Sequence, residues 1–186
     1  MNTFEKQLFI KMIGAKWIDR KFIFDTVQNI FPSVLERLTG TPVRLEEKIE
    51  KIPPGILTAK PDGKWSIAEN IGHLSDLESL WQERVDDFIT NKEILREADM
   101  ENRKTYAADH NSSRIEEVLS TFRKSREETI QLIENFDEKM IFKSALHPRL
   151  KTKMRVLDLF IFVAEHDDHH LAAITEIAKK KENEKN

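Results

Sequence analysis

Glu165-His166-Asp167-Asp168-His169-His170 lies inside an unbroken helical pattern that runs from about Thr152 to Lys179. As helix, it places His166 and His170 one turn apart on the face carrying Leu159, Val163, Ala173 and Ile177. Residues four apart on a helix are roughly 5–6 Å apart at Cβ, so these imidazoles can converge on one divalent cation, as paired histidines do in helical zinc motifs. Rings on an otherwise aliphatic stripe need buried polar partners, and a metal ion is one. His169 is the alternative ligand to His170, but the stripe is better satisfied with His170 inside. Asp167 and Asp168 are either acceptors that orient the imidazoles or solvated charges.

The same helical period extends outward from this stretch, with weak strand signals throughout, and the fold class read from it is all-α. Thr41-Pro42 predicts a helix start, Thr as cap and Pro at the first position, with the helix running to about Ile52 before Pro53-Pro54-Gly55. Pro61-Asp62-Gly63-Lys64 is a turn, and Ser66-Ile67-Ala68-Glu69 is a capping box. It opens a second helix over 67–89 with Ile67, Ile71, Leu74, Trp81, Val85 and Phe88 on one stripe. Residues 90–111 form a long polar crossover with a short helix near Met100, and loops of that length are often functional. Ser113-Arg114-Ile115-Glu116 reads as a second capping box, opening a third helix with Ile115, Val118, Leu119 and Phe122 inward. Residues 1–31 are an aromatic-rich extension packed on the bundle, and 179–186 a disordered, charged tail.

At 186 residues the chain is a single domain able to bury a full core. Charged residues make up 34% of it, yet the net charge is only −3. Acids and bases interleave on helix faces instead of forming a basic stripe, which excludes a nucleic-acid partner. No apolar run approaches the roughly 20 residues of a bilayer span, and the N-terminus has no signal-peptide pattern. The absence of cysteine removes disulfides and thiolate ligands and agrees with a reducing, cytoplasmic setting. Any thiol chemistry then uses a substrate's sulfur.

A third ligand has to come from the other histidines, and the chain has six in all. His73, beside the second helix's stripe next to Leu77 and Leu80, is either a boundary residue bonded to a neighbour or that ligand. Glu78 and Arg126 fall within apolar stripes of the second and third helices, so they are expected to be buried and paired with each other or to line the site.

Lys64-Trp65-Ser66-Ile67 followed by Gly72-His73-Leu74-Ser75-Asp76-Leu77-Glu78 resembles the Trp-Ser and His-Leu-x-Asp pattern of the DinB/YfiT-like metalloenzyme family. His147-Pro148 and Glu165-His166-Asp167-Asp168-His169-His170-Leu171-Ala172-Ala173-Ile174 resemble that family's later motifs, and the likeness covers roughly 32–178. The resemblance implies a four-helix bundle with an unusual connection, often a homodimer, holding a divalent metal, zinc or nickel, through histidines matching His73, His166 and His170. His147 matches a motif histidine at the metal's mouth and not a ligand. Family members of known activity are transferases acting on low-molecular-weight thiols, or thiol-dependent isomerases, acting on small-molecule substrates.

Three neutral imidazoles leave a divalent ion its full charge and open positions, which lowers the pKa of a thiol or water. The expected reactions are attack of a cofactor thiol on an electrophile, or hydrolysis by hydroxide generated at the metal, with His147 or Asp76 assisting proton transfer. A phosphohydrolase of the HD type, suggested by His166-Asp167, lacks its downstream Asp, since none follows Asp168. A di-iron bundle needs Glu-x-x-His pairs, which the chain lacks. A non-catalytic metal- or ligand-binding stress protein on the same bundle is the remaining alternative.

Overall fold

The Ser66 hydroxyl accepts the Glu69 amide at 3.1 Å, and the Glu69 carboxylate accepts the Ser66 amide at 2.9 Å. This reciprocal box opens the helix that the sequence predicted over 67–89. In the computed structural model, which describes residues 17–183, the elements are α1 (Phe31–Glu50), α2 (Ile67–Ile89), a short α3 (Arg103–Ala108), α4 (Ile115–Ile133), a one-turn α5 (Glu138–Ile141), β1 (Ser144–Leu146), β2 (Lys153–Arg155) and α6 (Val156–Asn183). Four long helices make the bundle. α2 packs against α4 and α6, and α1 packs against the same two, so sequence neighbours α1 and α2 stand diagonally. The long crossover from α2 to α4 carries α3 and the 3-10 turn His110–Ser112.

The apolar core is split in two by a polar layer. On α1, Leu38 belongs to one cluster and Leu45 to the other, with Thr41 between; on α2, Trp81 and Leu74 flank Glu78; on α6, Val163 and Leu171 flank Asp167. On α4 the residue in the layer is Arg126, following Phe122 of the second cluster. Its guanidinium is buried and bonds Glu78 Oε1 at 2.6 and 2.9 Å and Asp167 at 2.6 and 3.1 Å. The pairing of Glu78 with Arg126 expected from their stripes is therefore present.

Several boundaries differ from the sequence reading. α1 does not start at Thr41-Pro42 but at Phe31, with Pro32 in its first turn, and it runs straight through Pro42. Proline has no N–H, so the Leu38 carbonyl one turn back loses its helical donor; Arg126 Nη1 supplies one at 3.3 Å. Thr41 points inward, its hydroxyl 2.9 Å from Asp167 Oδ2 and 3.0 Å from the Arg37 carbonyl. Ser113 does not cap α4: Arg114 occupies the cap position without a side-chain bond, while Ser113 is extended after the preceding turn. Glu116 and Glu117 in the first turn favour the helix dipole instead.

α6 begins at Val156 and not near Thr152, because Lys153–Arg155 pairs antiparallel with Ser144–Leu146. Only Ala145 and Met154 face inward from these strands, too short a run to register as alternation. Asp158 fixes the junction by accepting the Arg155 amide at 2.9 Å and its guanidinium at 2.7 and 2.6 Å. At the other end α6 stays helical to Asn183, inside the stretch read as a disordered tail; residues 184–186 lie outside the described residues. Of the aromatic extension, residues 1–16 lie outside too, while Trp17, Phe22 and Phe24 pack on the first core cluster. No described helix is long and apolar enough to cross a membrane.

Removing Arg126 strands two buried carboxylates, which is far more costly than losing a surface pair. Arg126→Met is expected to lower the unfolding free energy in urea by about 3–5 kcal/mol. A change under about 1 kcal/mol, the range of an exposed pair, refutes the role given to this layer.

Candidate metal centre

The polar layer ends against three imidazoles. α2 contributes His73 and α6 contributes His166 and His170, with ring centroids 4.5 Å apart for the α6 pair and 5.0 and 5.3 Å from His73 to His170 and His166. One nitrogen from each ring lies within 4.8 Å of the others. Each residue is buried at 5% exposure.

Neighbouring neutral groups set the ring orientations. The Asn70 amide nitrogen donates to the Ser66 carbonyl at 2.7 Å, which turns its oxygen toward His170 Nδ1 at 2.8 Å. His170 therefore carries its proton on Nδ1 and presents a bare Nε2, 3.2 Å from His166 Nε2. His73 Nδ1 shares a hydrogen bond with Thr105 Oγ1 at 3.0 Å, so the crossover reaches back through α3 to hold the third ring. His166 Nδ1 is a buried polar atom with no hydrogen-bond partner.

Burial is the main reason these rings stay neutral. It pushes the His73 pKa down to about 4, against the partial opposition of Asp76. It holds His166 and His170 well below the ordinary value, and the neighbouring imidazoles depress them further. Three neutral nitrogen donors without a carboxylate among them fit a borderline divalent ion.

The cluster forms the floor of an open cavity of about 1250 Å³. Trp65 flanks His73 and His170 at centroid distances of 4.6 and 6.1 Å, and Trp17 flanks His166 at 4.9 Å. His169 is outside the cluster: half-buried, it stacks on Trp17 at 5.6 Å and meets Arg20 Nη2 at 3.2 Å. Neither aspartate of the motif orients a ligand ring. Asp167 turns to Arg126 and Asp168 to Arg37 and Arg44.

His147 lines the cavity wall. Burial, then the charges of Arg84 and Arg149, lower its pKa to about 4. Asp76 is not on that wall; its carboxylate faces His110 Nε2 at 2.9 Å. The His110 ring rests on α2 at Gly72, where a Cβ would come within 2.3 Å of it. Asn70, Thr105, His110 and Arg84 escaped sequence reasoning. Only Asn70 carried a local signal, one turn before His73; the others act across the fold.

The family model described as the DinB superfamily matches residues 37–174. Among solved structures, the chain is similar to YfiT from Bacillus subtilis, described as a probable metal-dependent hydrolase with an unusual four-helix bundle topology. The TM-score is 0.74 at 19% identity, covering 87% of this chain and 94% of that one. No curated protein gives a significant match.

Gly72→Ala is expected to cost about 1–3 kcal/mol by forcing the His110 ring away. Gly40→Ala, with nothing within 4 Å, should not destabilise its helix; equal effects in urea melts refute the close approach. An unfolded histidine takes up its proton near pH 6.5, whereas folded His73 and His147 resist until about 4. Acid therefore favours the unfolded chain, and the stability of metal-free protein, complete above 6.5, falls as pH drops toward 4. A melting temperature flat across that window contradicts neutral burial.

Proposed function

This chain belongs to the DinB superfamily, and on that premise we propose that it is a metal-dependent enzyme acting on a small-molecule substrate, with His73, His166 and His170 as ligands of one divalent ion, zinc or nickel. The observation that carries the reading is three neutral, converging imidazoles on the floor of a cavity of about 1250 Å³. A divalent ion there supplies Lewis acidity that lowers the pKa of a thiol or a water reaching it. Asn70 and Thr105 hold the ligand rings, as outer partners do in metal sites. Trp17 and Trp65 shield the floor from water and offer flat apolar faces to a substrate. His147 on the wall meets the substrate as a neutral hydrogen-bonding group, and the proton-transfer role expected for it is not one that its Nδ1, which accepts the Leu150 amide, leaves open. Asp76 assists only indirectly, by anchoring His110 against α2.

The reaction we propose is transfer of a low-molecular-weight thiol to an electrophile. A cavity above the roughly 300–1000 Å³ of ordinary ligand pockets has room for a thiol cofactor and a second substrate together. Hydrolysis is the second reading, favoured by the description of YfiT. The metal-binding unit spans 32–178, the active form is a homodimer, and the setting is the cytoplasm, where thiols stay reduced.

Tag-free protein, with dimer mass checked by light scattering, is expected to carry stoichiometric zinc or nickel by elemental analysis. His166→Ala should lose it, and full retention refutes the ligand set. In cobalt-substituted protein, millimolar thiol should raise intense sulfur charge-transfer bands. An unchanged spectrum with small and large thiols removes the transferase reading and leaves hydrolysis.

A further inference from the structure

Beyond the histidine cluster, the cavity wall holds two buried donors that protein groups leave facing each other. Arg84 is 1% exposed, yet no carboxylate pairs with it among the described residues. Its Nε and Nη2 both donate to the Arg96 carbonyl, at 3.1 and 3.0 Å. Asp87, one turn along α2, is taken by the Arg96 amide and guanidinium. The remaining arm, Nη1, faces His147 Nε2 at 3.2 Å.

His147 is not a free acceptor for that arm. The Leu150 amide donates to its Nδ1 at 3.2 Å, and a neutral imidazole has a single lone pair. The ring proton therefore sits on Nε2, and two N–H groups point at one region with no acceptor between them. Buried donors without acceptors are rare and costly; Asp87 lies near enough to offset part of the Arg84 charge but accepts no hydrogen bond from it. Arg149, two residues after His147, adds a second cationic group to the wall, and among the described residues its hydrogen bond is to the Ile18 carbonyl at 3.2 Å. The cavity's acids do not resolve this. Asp99 accepts the Glu101 and Arg103 amides, Asp62 accepts from Lys180, and neither Glu97 nor Glu176 bonds Arg84, His147 or Arg149.

We propose that Arg84 and His147 form a receptor for an oxyanion, a carboxylate or phosphate carried by the substrate, in which one oxygen accepts from Arg84 Nη1–H and His147 Nε2–H together and Arg149 closes the site. The inference rests on reading the cavity as the active site. Arg84 stacks on Trp81 at 5.4 Å, and the Trp81 ring is 6.3 Å from His166. The receptor thus lies one aromatic ring from the histidines and would orient an anionic substrate beside the reacting centre.

The test uses full-length protein stripped of metal by a chelator, with the His147 imidazole followed by nitrogen-15 NMR during separate titrations with inorganic phosphate and acetate. A saturable shift is expected from at least one, with affinity reduced about tenfold in Arg84→Gln by loss of a charge-assisted hydrogen bond. Arg149→Gln, on a partly exposed turn, should weaken binding in the same direction and covers the case in which Arg84→Gln does not fold. Saturation by phosphate alone or acetate alone identifies the anion. A shift reproduced by chloride at matched ionic strength, one that survives these substitutions, or no saturable shift overturns the proposal. Because the readout needs no metal, loss of the receptor and loss of the three-histidine reading are separate results.

Discussion

One guanidinium joins all four long helices. Arg126 on α4 bonds Glu78 on α2, Asp167 on α6 and the Leu38 carbonyl on α1. Each bond answers a cost created elsewhere: two carboxylates buried in a core, and a carbonyl deprived of its donor by Pro42. Burial alone pushes the Glu78 carboxyl upward, and Arg126 opposes it. A hydrophobic core tolerates sliding of one helix over another by small steps, because apolar contact is not directional. A five-donor fork with fixed partners does not. Since Asp167 immediately follows His166, the clamp that fixes the helix register also fixes the depth of the histidines.

The bundle and the histidine cluster were legible because both are written at helical spacing. His166 and His170 interrupt an aliphatic stripe one turn apart, Glu78 and Arg126 interrupt two others, and the box at Ser66 and Glu69 marks a helix start by local chemistry alone. What was misread is where a local rule met a distant partner. Thr41-Pro42 has the form of a helix start, and only Arg126, far along the chain, makes proline tolerable at that interior position. Ser113 has the form of a cap, but the turn at His110–Ser112 commits its backbone to an extended path. The strands at 144–146 and 153–155 bury one side chain each, below what any pattern can reveal.

The same distinction separates the ligand candidates from the residues that hold them. A candidate ligand pair on one helix follows from spacing, whereas Thr105 reaches His73 from the crossover and Arg84 meets His147 across the cavity wall. The long polar crossover is thus part of the site's construction. Within it the Leu95 amide donates to the Leu146 carbonyl at 3.0 Å and the Glu93 carbonyl accepts the Leu146 amide at 2.8 Å, tying its first half to the hairpin that presents His147.

Charge is distributed so that the metal-binding candidates stay neutral while their surroundings do not. Arg126 lies close enough to depress His166, but two carboxylates balance it on the side away from the cavity. On the cavity side the partners of the imidazoles are an amide and a hydroxyl, Asn70 and Thr105, which fix ring orientation without adding charge. A carboxylate in either place would favour imidazolium, whose proton competes with a cation for the same lone pair. Positive charge that no carboxylate bonds is instead held at Arg84 and Arg149 on the wall, where the proposed substrate anion would reach it. In the proposed site that arrangement keeps two electrostatic tasks apart: nitrogen lone pairs on the floor for a cation, and N–H donors beside them for an anion.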